Sequence, residues 1–118
     1  MNDHAAPALG QHLLADFHGV SAALLSDPAE IEVMLCQAAA AAAATPIHAH
    51  FHHFGPGLGV TGMLLLQESH ISIHTWPESG FAAIDIFMCG DAQPGLALSH
   101  LHSCLSPQSV TRHQLPRG

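Results

Sequence analysis

The stretch ESHISIHTWPE, residues 68–78, gathers two carboxylates, three hydroxyls and two imidazoles in a chain in which only 9% of residues are charged. A serine beside a histidine suggests a nucleophile with its base, and twelve histidines in all suggest a metal. The nucleophile lacks its usual surroundings. No GxSxG elbow encloses Ser69, and no carboxylate stands where it would orient His70 or His74 as in a serine triad. The metal reading rests on His48, His50, His52 and His53 in HAHFHH, and on the pair His70 and His74. His48, His50 and His52 share one side of a strand but spread over about 14 Å, too far for three imidazoles of one strand to reach one ion. His70 and His74 would meet on a helix, yet Ile71, Ile73 and Thr75 favour a strand, and HExxH is absent. These residues alone assign no catalytic function, and no metal site is expected.

The elements that must carry them follow from periodicity. Residues 1–10 read as a loose N-terminal arm and QHLLADF as a first strand. Asp27, Pro28 and Glu30 stand as N-cap, first-turn proline and capping-box partner of a helix whose apolar face is Ile31, Met34, Leu35 and Ala38 and which must stop before Pro46. The period then changes to two through IHAHFHHF, GVTGMLLL, ISIHTW and FAAIDIFM, four strands bounded by glycine, proline and polar residues. Asp91 and Pro94 open a second helix through LALSHLHSCL, ended by Pro107, and SVTRHQL forms a short last strand. The expected fold is α+β: a two-layer sandwich of a mainly antiparallel sheet with two helices packed on one face.

At 118 residues, 48% of them hydrophobic, the chain is expected to fold as a single domain, residues 1–118. Arg112 and Arg117 are its only strong cations against nine acidic residues, giving a formal net charge of −7. That balance excludes a nucleic acid or an anionic membrane as partner and suits a cationic or zwitterionic small molecule. So apolar a chain with so few charges should also bury surface against another copy. Cys36, Cys89 and Cys104 show no CxxC spacing, which points to a reducing cytoplasm. The alanine run in QAAAAAAATPI is too short and too weakly apolar to span a bilayer.

QESHISIHTWPESGFAAIDIFMCG, residues 67–90, resembles the processing and active-site segment of the prokaryotic S-adenosylmethionine decarboxylase proenzymes, a self-processing, pyruvoyl-dependent family. FHHFGPGLGVTG resembles the family's stretch before the cleavage site and GQHLLADF its first strand, so the likeness runs from about residue 10 to 105. It implies that the Ser69 hydroxyl attacks the Glu68 carbonyl, that the resulting ester is eliminated with His74 as base, and that residue 69 becomes a pyruvoyl group. The products would be a β chain, residues 1–68, and an α chain, residues 69–118. Thr61 stands where the family has a serine that assists processing. Cys89 matches the proton donor of the decarboxylation, which proceeds through a Schiff base on the pyruvoyl carbonyl. Glu78 matches the glutamate that holds the ribose hydroxyls, and Phe54 the aromatic that stacks on adenine. Trp76, Cys36 and Cys104 are read as structural. The implied activity is decarboxylation of S-adenosylmethionine for spermidine synthesis, by a cytoplasmic homodimer of αβ protomers. The same pyruvoyl chemistry on L-arginine or L-ornithine remains open, as does a non-processing pseudoenzyme or a His-rich metal-binding module.

Overall fold

Alternation of apolar and polar residues builds the sheet and decides which face is covered. In the strand Phe81–Cys89, Ala82, Ile84, Ile86 and Met88 are buried while the residues between them are half-exposed, the two-residue repeat of a strand with one face against a core. The computed structural model describes residues 8–118. The expected N-terminal arm, residues 1–10, therefore lies mostly outside the described residues, and Gly10 already belongs to the first strand.

In chain order the elements are β1 (Gly10–His18), α1 (Ala22–Leu25), α2 (Pro28–Ala41), β2 (Pro46–His53), β3 (Val60–Leu66), β4 (Ser69–Trp76), β5 (Phe81–Cys89), α3 (Pro94–Leu105) and β6 (Ser109–Arg117). The strands form one sheet in the order β2-β3-β4-β5-β1-β6, and every pairing is antiparallel. β2 to β5 are successive neighbours, as hairpin connections favour. β1 is the exception: it is inserted between β5 and β6, so the first strand of the chain lies among the last ones.

The helices α2 and α3 pack on each other and on one face of the sheet, the α+β arrangement expected from the sequence. Ile31, Leu35, Leu101 and Leu105 from the helices meet Leu13, Phe17, Leu64, Ile71, Ile73 and Ile86 from the strands in a single buried cluster. Asp27 caps α2 by accepting the Glu30 backbone N–H at 3.1 Å, with Pro28 in the first turn. Three local expectations change. The single turn α1 was not foreseen, α3 starts at Pro94 rather than at Asp91, after an N-cap Gln93 that makes no side-chain cap, and β6 runs for nine residues rather than as a short strand. Among the described residues no helix is long and apolar enough to cross a membrane.

Opposite the helices, the other face of the sheet carries Met63 and Leu65 of β3, His74 and Trp76 of β4, and Asp85, Phe87 and Cys89 of β5. Met63, Leu65 and Trp76 are each about two-fifths exposed, at 40%, 43% and 43%. This open face holds most of the chemistry.

Candidate active site

The hairpin joining β3 to β4 has only Gln67 and Glu68 in its turn, since Leu66 pairs with Ser69. Tight hairpins usually place Gly or Asn where φ is positive. Glu68 sits there instead, with φ at 58°. An L-residue in this left-handed conformation costs about 1–2 kcal/mol, and the cost falls on the residue whose carbonyl begins the Glu68–Ser69 peptide bond. The β4–β5 register pairs His70 with Phe87, so two residues further along Cys89 draws level with Glu68. Its thiol donates to the Glu68 carbonyl oxygen at 3.2 Å. The Ser69 hydroxyl is turned back over the same turn and donates to the Gln67 carbonyl at 3.2 Å. A hollow of about 210 Å³ lined by Gln67, Glu68, Cys89 and Gly90 opens beside them.

The other site residues gather at the far end of the same strand. Thr61 pairs with His74 across β3 and β4, and Thr61 Oγ1 lies 3.2 Å from His74 Nδ1. They line a cavity of about 360 Å³ together with Phe54, Leu58, Trp76 and Glu78. Phe54 is 58% exposed and stands edge-on to His52 at 4.6 Å between ring centres, so it does not fill the core. Glu78 lies in the 3-10 turn Pro77–Ser79. Trp76, expected to be structural, stacks on Phe81 at 5.2 Å and contributes to the cavity wall.

Backbone anchors hold this second group in place. The buried Thr75 hydroxyl accepts the Val60 N–H at 2.8 Å and donates to the Leu25 carbonyl at 2.6 Å. The turn between β2 and β3 is tied down by Ser26, which donates to the Leu58 carbonyl at 2.7 Å and lies 3.1 Å from His53 Nε2. Gly59 is obligatory in this turn: a Cβ there would lie 2.1 Å from the Thr75 carbonyl oxygen.

Ser69 and His74 are therefore at opposite ends of β4, about 17 Å apart at roughly 3.3 Å per residue. Within one chain the strand brings Glu68, Ser69 and Cys89 together, and separately Phe54, Thr61, His74 and Glu78; it does not bring the two groups to each other. His48, His50 and His52 are exposed along β2. A third grouping was missed from sequence. Asp85 Oδ1 lies 2.6 Å from His12 Nε2 and 3.1 Å from His70 Nε2, so His70 does have an orienting carboxylate. Burial raises the Cys36 and Cys104 thiols above their ordinary value, helped by Glu32 and Glu30 respectively, which keeps both protonated and unreactive at neutral pH.

The family profile described as S-adenosylmethionine decarboxylase matches residues 11–118. The chain belongs to the S-adenosylmethionine decarboxylase family. It is 40% identical over 112 residues to the S-adenosylmethionine decarboxylase proenzyme of Caldanaerobacter subterraneus subsp. tengcongensis, covering 94% of this chain and 90% of that one. The proenzyme of Hydrogenobaculum sp. is 41% identical over 114 residues, covering 96% and 84%. The crystal structure of the adenosylmethionine decarboxylase from Aquifex aeolicus VF5 superposes with a TM-score of 0.89 at 38% identity, covering 96% of this chain and 93% of that one. The resemblance carried by residues 67–90 thus extends to nearly the whole chain and to its fold. The hairpin turn at Glu68 and the cavity lined by Phe54 are the two candidate places for its chemistry.

Proposed function

We propose that this member of the S-adenosylmethionine decarboxylase family cuts itself between Glu68 and Ser69 and then decarboxylates S-adenosylmethionine. The observation that carries the reading is the Cys89 thiol on the carbonyl oxygen of Glu68, a residue held at φ 58°. Strain raises the ground state of that peptide bond, and a donor on its oxygen favours the tetrahedral adduct. Rotation of the Ser69 side chain away from Gln67 aims its oxygen at the Glu68 carbonyl carbon. The C–N bond breaks as the C–O bond forms, leaving an ester and a free amine on residue 69. A base then takes the Ser69 α-proton and the Glu68 carboxylate leaves. Hydrolysis of the resulting enamine, as its imine, releases ammonia.

A pyruvoyl group at residue 69 would supply an electrophilic carbonyl for the substrate amine and an electron sink for the carbanion left by CO₂. The hollow beside Cys89 leaves room for it, and the lack of any lysine in the chain fits a decarboxylase that needs no lysine-bound cofactor. Cys89 then holds the proton for the substrate α-carbon. Glu78 accepts hydrogen bonds from two ribose hydroxyls, and Phe54 and Trp76 offer aromatic faces to adenine and to the sulfonium.

His74 and Thr61 reach the cleaved bond only from a second copy. Two chains related by a two-fold axis, packed through their open sheet faces about 10 Å apart, would bring the Ser69 end of each β4 over the His74 end of the other. An isologous contact of this kind makes two identical sites per dimer. The exposed Met63, Leu65 and Trp76 then become interface. Three free cysteines fit the reducing cytoplasm as the compartment.

An intact-mass measurement tests the first step. Two fragments dividing at 68 and 69, the later one with a ketone-reactive N-terminus, are expected from the native chain and one uncut chain from Ser69→Ala. An uncut native chain after long incubation would favour a pseudoenzyme. Release of CO₂ from labelled S-adenosylmethionine, with L-arginine and L-ornithine in parallel, tests the substrate.

A further inference from the structure

We propose that His12, His70 and Asp85 form a binding site for a divalent transition-metal ion on the open face of the sheet. The three residues come from three adjacent strands, β1, β4 and β5, and the register makes them converge. His12 and His70 both stand opposite Phe87, on either side of β5, and Asp85 stands two residues along on the same face. Their ligand atoms all lie within 4.8 Å of one another. Asp85 Oδ1 is 2.6 Å from His12 Nε2 and 3.1 Å from His70 Nε2, while the two rings stand at 85° with centroids 6.3 Å apart. An ion bound at about 2.0–2.1 Å holds its ligand atoms roughly 3.3 Å apart. A rotation of the Asp85 side chain would widen its 2.6 Å contact with His12 toward that spacing.

The ligand set and its surroundings choose the kind of ion. Two imidazoles and one carboxylate suit zinc, cobalt, nickel or ferrous iron rather than magnesium or calcium, which prefer all-oxygen sites. Three ligands on one side leave coordination positions open toward a cavity of about 400 Å³ lined by Leu9, His12, His70, Phe87 and Arg117. With neutral imidazoles the ligands carry one negative charge, in a chain of formal net charge −7, so the surrounding field attracts cations.

Arg117 competes with the ion. Its guanidinium lies 3.0 Å from His12 Nδ1, and a guanidinium only donates. His12 Nδ1 therefore accepts, and Nε2 carries the hydrogen that points at Asp85. A metal on Nε2 needs the other tautomer, with the hydrogen on Nδ1, which faces the Arg117 donor. The ion and the Arg117 contact exclude each other. Arg117 is exposed at the end of β6, so its side chain can swing away, and its removal should strengthen metal binding.

The site lies on the face that the proposed dimer would cover, with His70 next to Ser69, but its test does not read activity. Metal-stripped full-length protein is titrated with Co²⁺, followed by visible absorption, and the bound Co²⁺ is displaced with Zn²⁺. One ion per chain is expected. Loss of an outer partner of a metal ligand costs about 10- to 100-fold in affinity, so Asp85→Asn should weaken binding by at least that much. Arg117→Gln should tighten it, since the metal-binding tautomer of His12 no longer faces a guanidinium that can only donate. Absence of stoichiometric binding overturns the proposal, as does binding indifferent to Asp85→Asn, which would move the ion to the exposed histidines of β2. If Asp85→Asn does not fold, Arg117→Gln decides alone: tighter binding upholds the site and unchanged affinity sinks it.

Discussion

Glu68 is the residue whose conformation is at odds with its type. Glycine would take φ 58° without strain, but would lose about 0.5–1 kcal/mol in chain entropy. Glu68→Gly should thus leave the melting temperature almost unchanged while slowing self-cleavage about five- to tenfold, because relief of about 1 kcal/mol of strain lowers the ground state but not the barrier top. The check is a time course of uncut chain after synthesis beside a thermal melt; equal cleavage rates would remove strain from the mechanism. Cys89→Ala leaves the hairpin in place but takes away the thiol on the Glu68 carbonyl. Processed Cys89→Ala enzyme should lose about 10²- to 10⁴-fold in decarboxylation, measured as CO₂ release per pyruvoyl chain. Glu68, Ser69 and Cys89 were singled out in the sequence because residues 67–90 carry them in one uninterrupted segment, and the fold brings the three together. Trp76 was not, since nothing in HTWPE tells a half-exposed ring from a core one; the alternation that puts His74 and Trp76 on the same face was the available signal.

Among the elements, β4 determines most of the site's geometry, and Thr75 holds it in register. Its hydroxyl bridges the Val60 N–H of β3 and the Leu25 carbonyl of α1, so Thr75→Val, equal in shape, strands a buried donor and a buried acceptor. A loss of about 2–4 kcal/mol is expected in urea unfolding, with a weaker hold on the Phe54 turn. A change below about 0.5 kcal/mol would mean that water replaces the bridge. The main helices and the strands were legible in sequence because capping residues and a clean change of period mark them. The four-residue α1 was not, as it makes no side-chain cap and is too short for periodicity. The His12, Asp85 and His70 cluster was hidden for a different reason: it depends on β1 docking beside β5, a pairing across 73 positions between His12 and Asp85 that local pattern does not specify.

At the scale of the whole molecule, the open face and the divided site lead to the proposal that catalysis needs two chains. Ser69→Ala and His74→Ala variants should each remain uncut alone. Co-expressed, they should yield cut His74→Ala chain, since a mixed dimer joins its Ser69 to the His74 of the other variant. Mass spectrometry of the separately tagged chains reads this directly, and an uncut mixture would return the whole site to a single chain. The insertion of β1 between β5 and β6 has a consequence that appears only after cleavage. Cut between Glu68 and Ser69 as proposed, the early fragment would supply β1, β2 and β3, and the late one β4, β5 and β6, shuffled through one sheet. Each piece keeps only a two-stranded ribbon, β2–β3 or β4–β5, too little to stand alone, so the fragments would stay woven together, and unfolding would become a dissociation. Thermal midpoints of the mature protein should fall on dilution, and a chain once cut has lost the tether that let it fold as one molecule. Activation would in that sense turn refolding from the folding of one chain into the meeting of two.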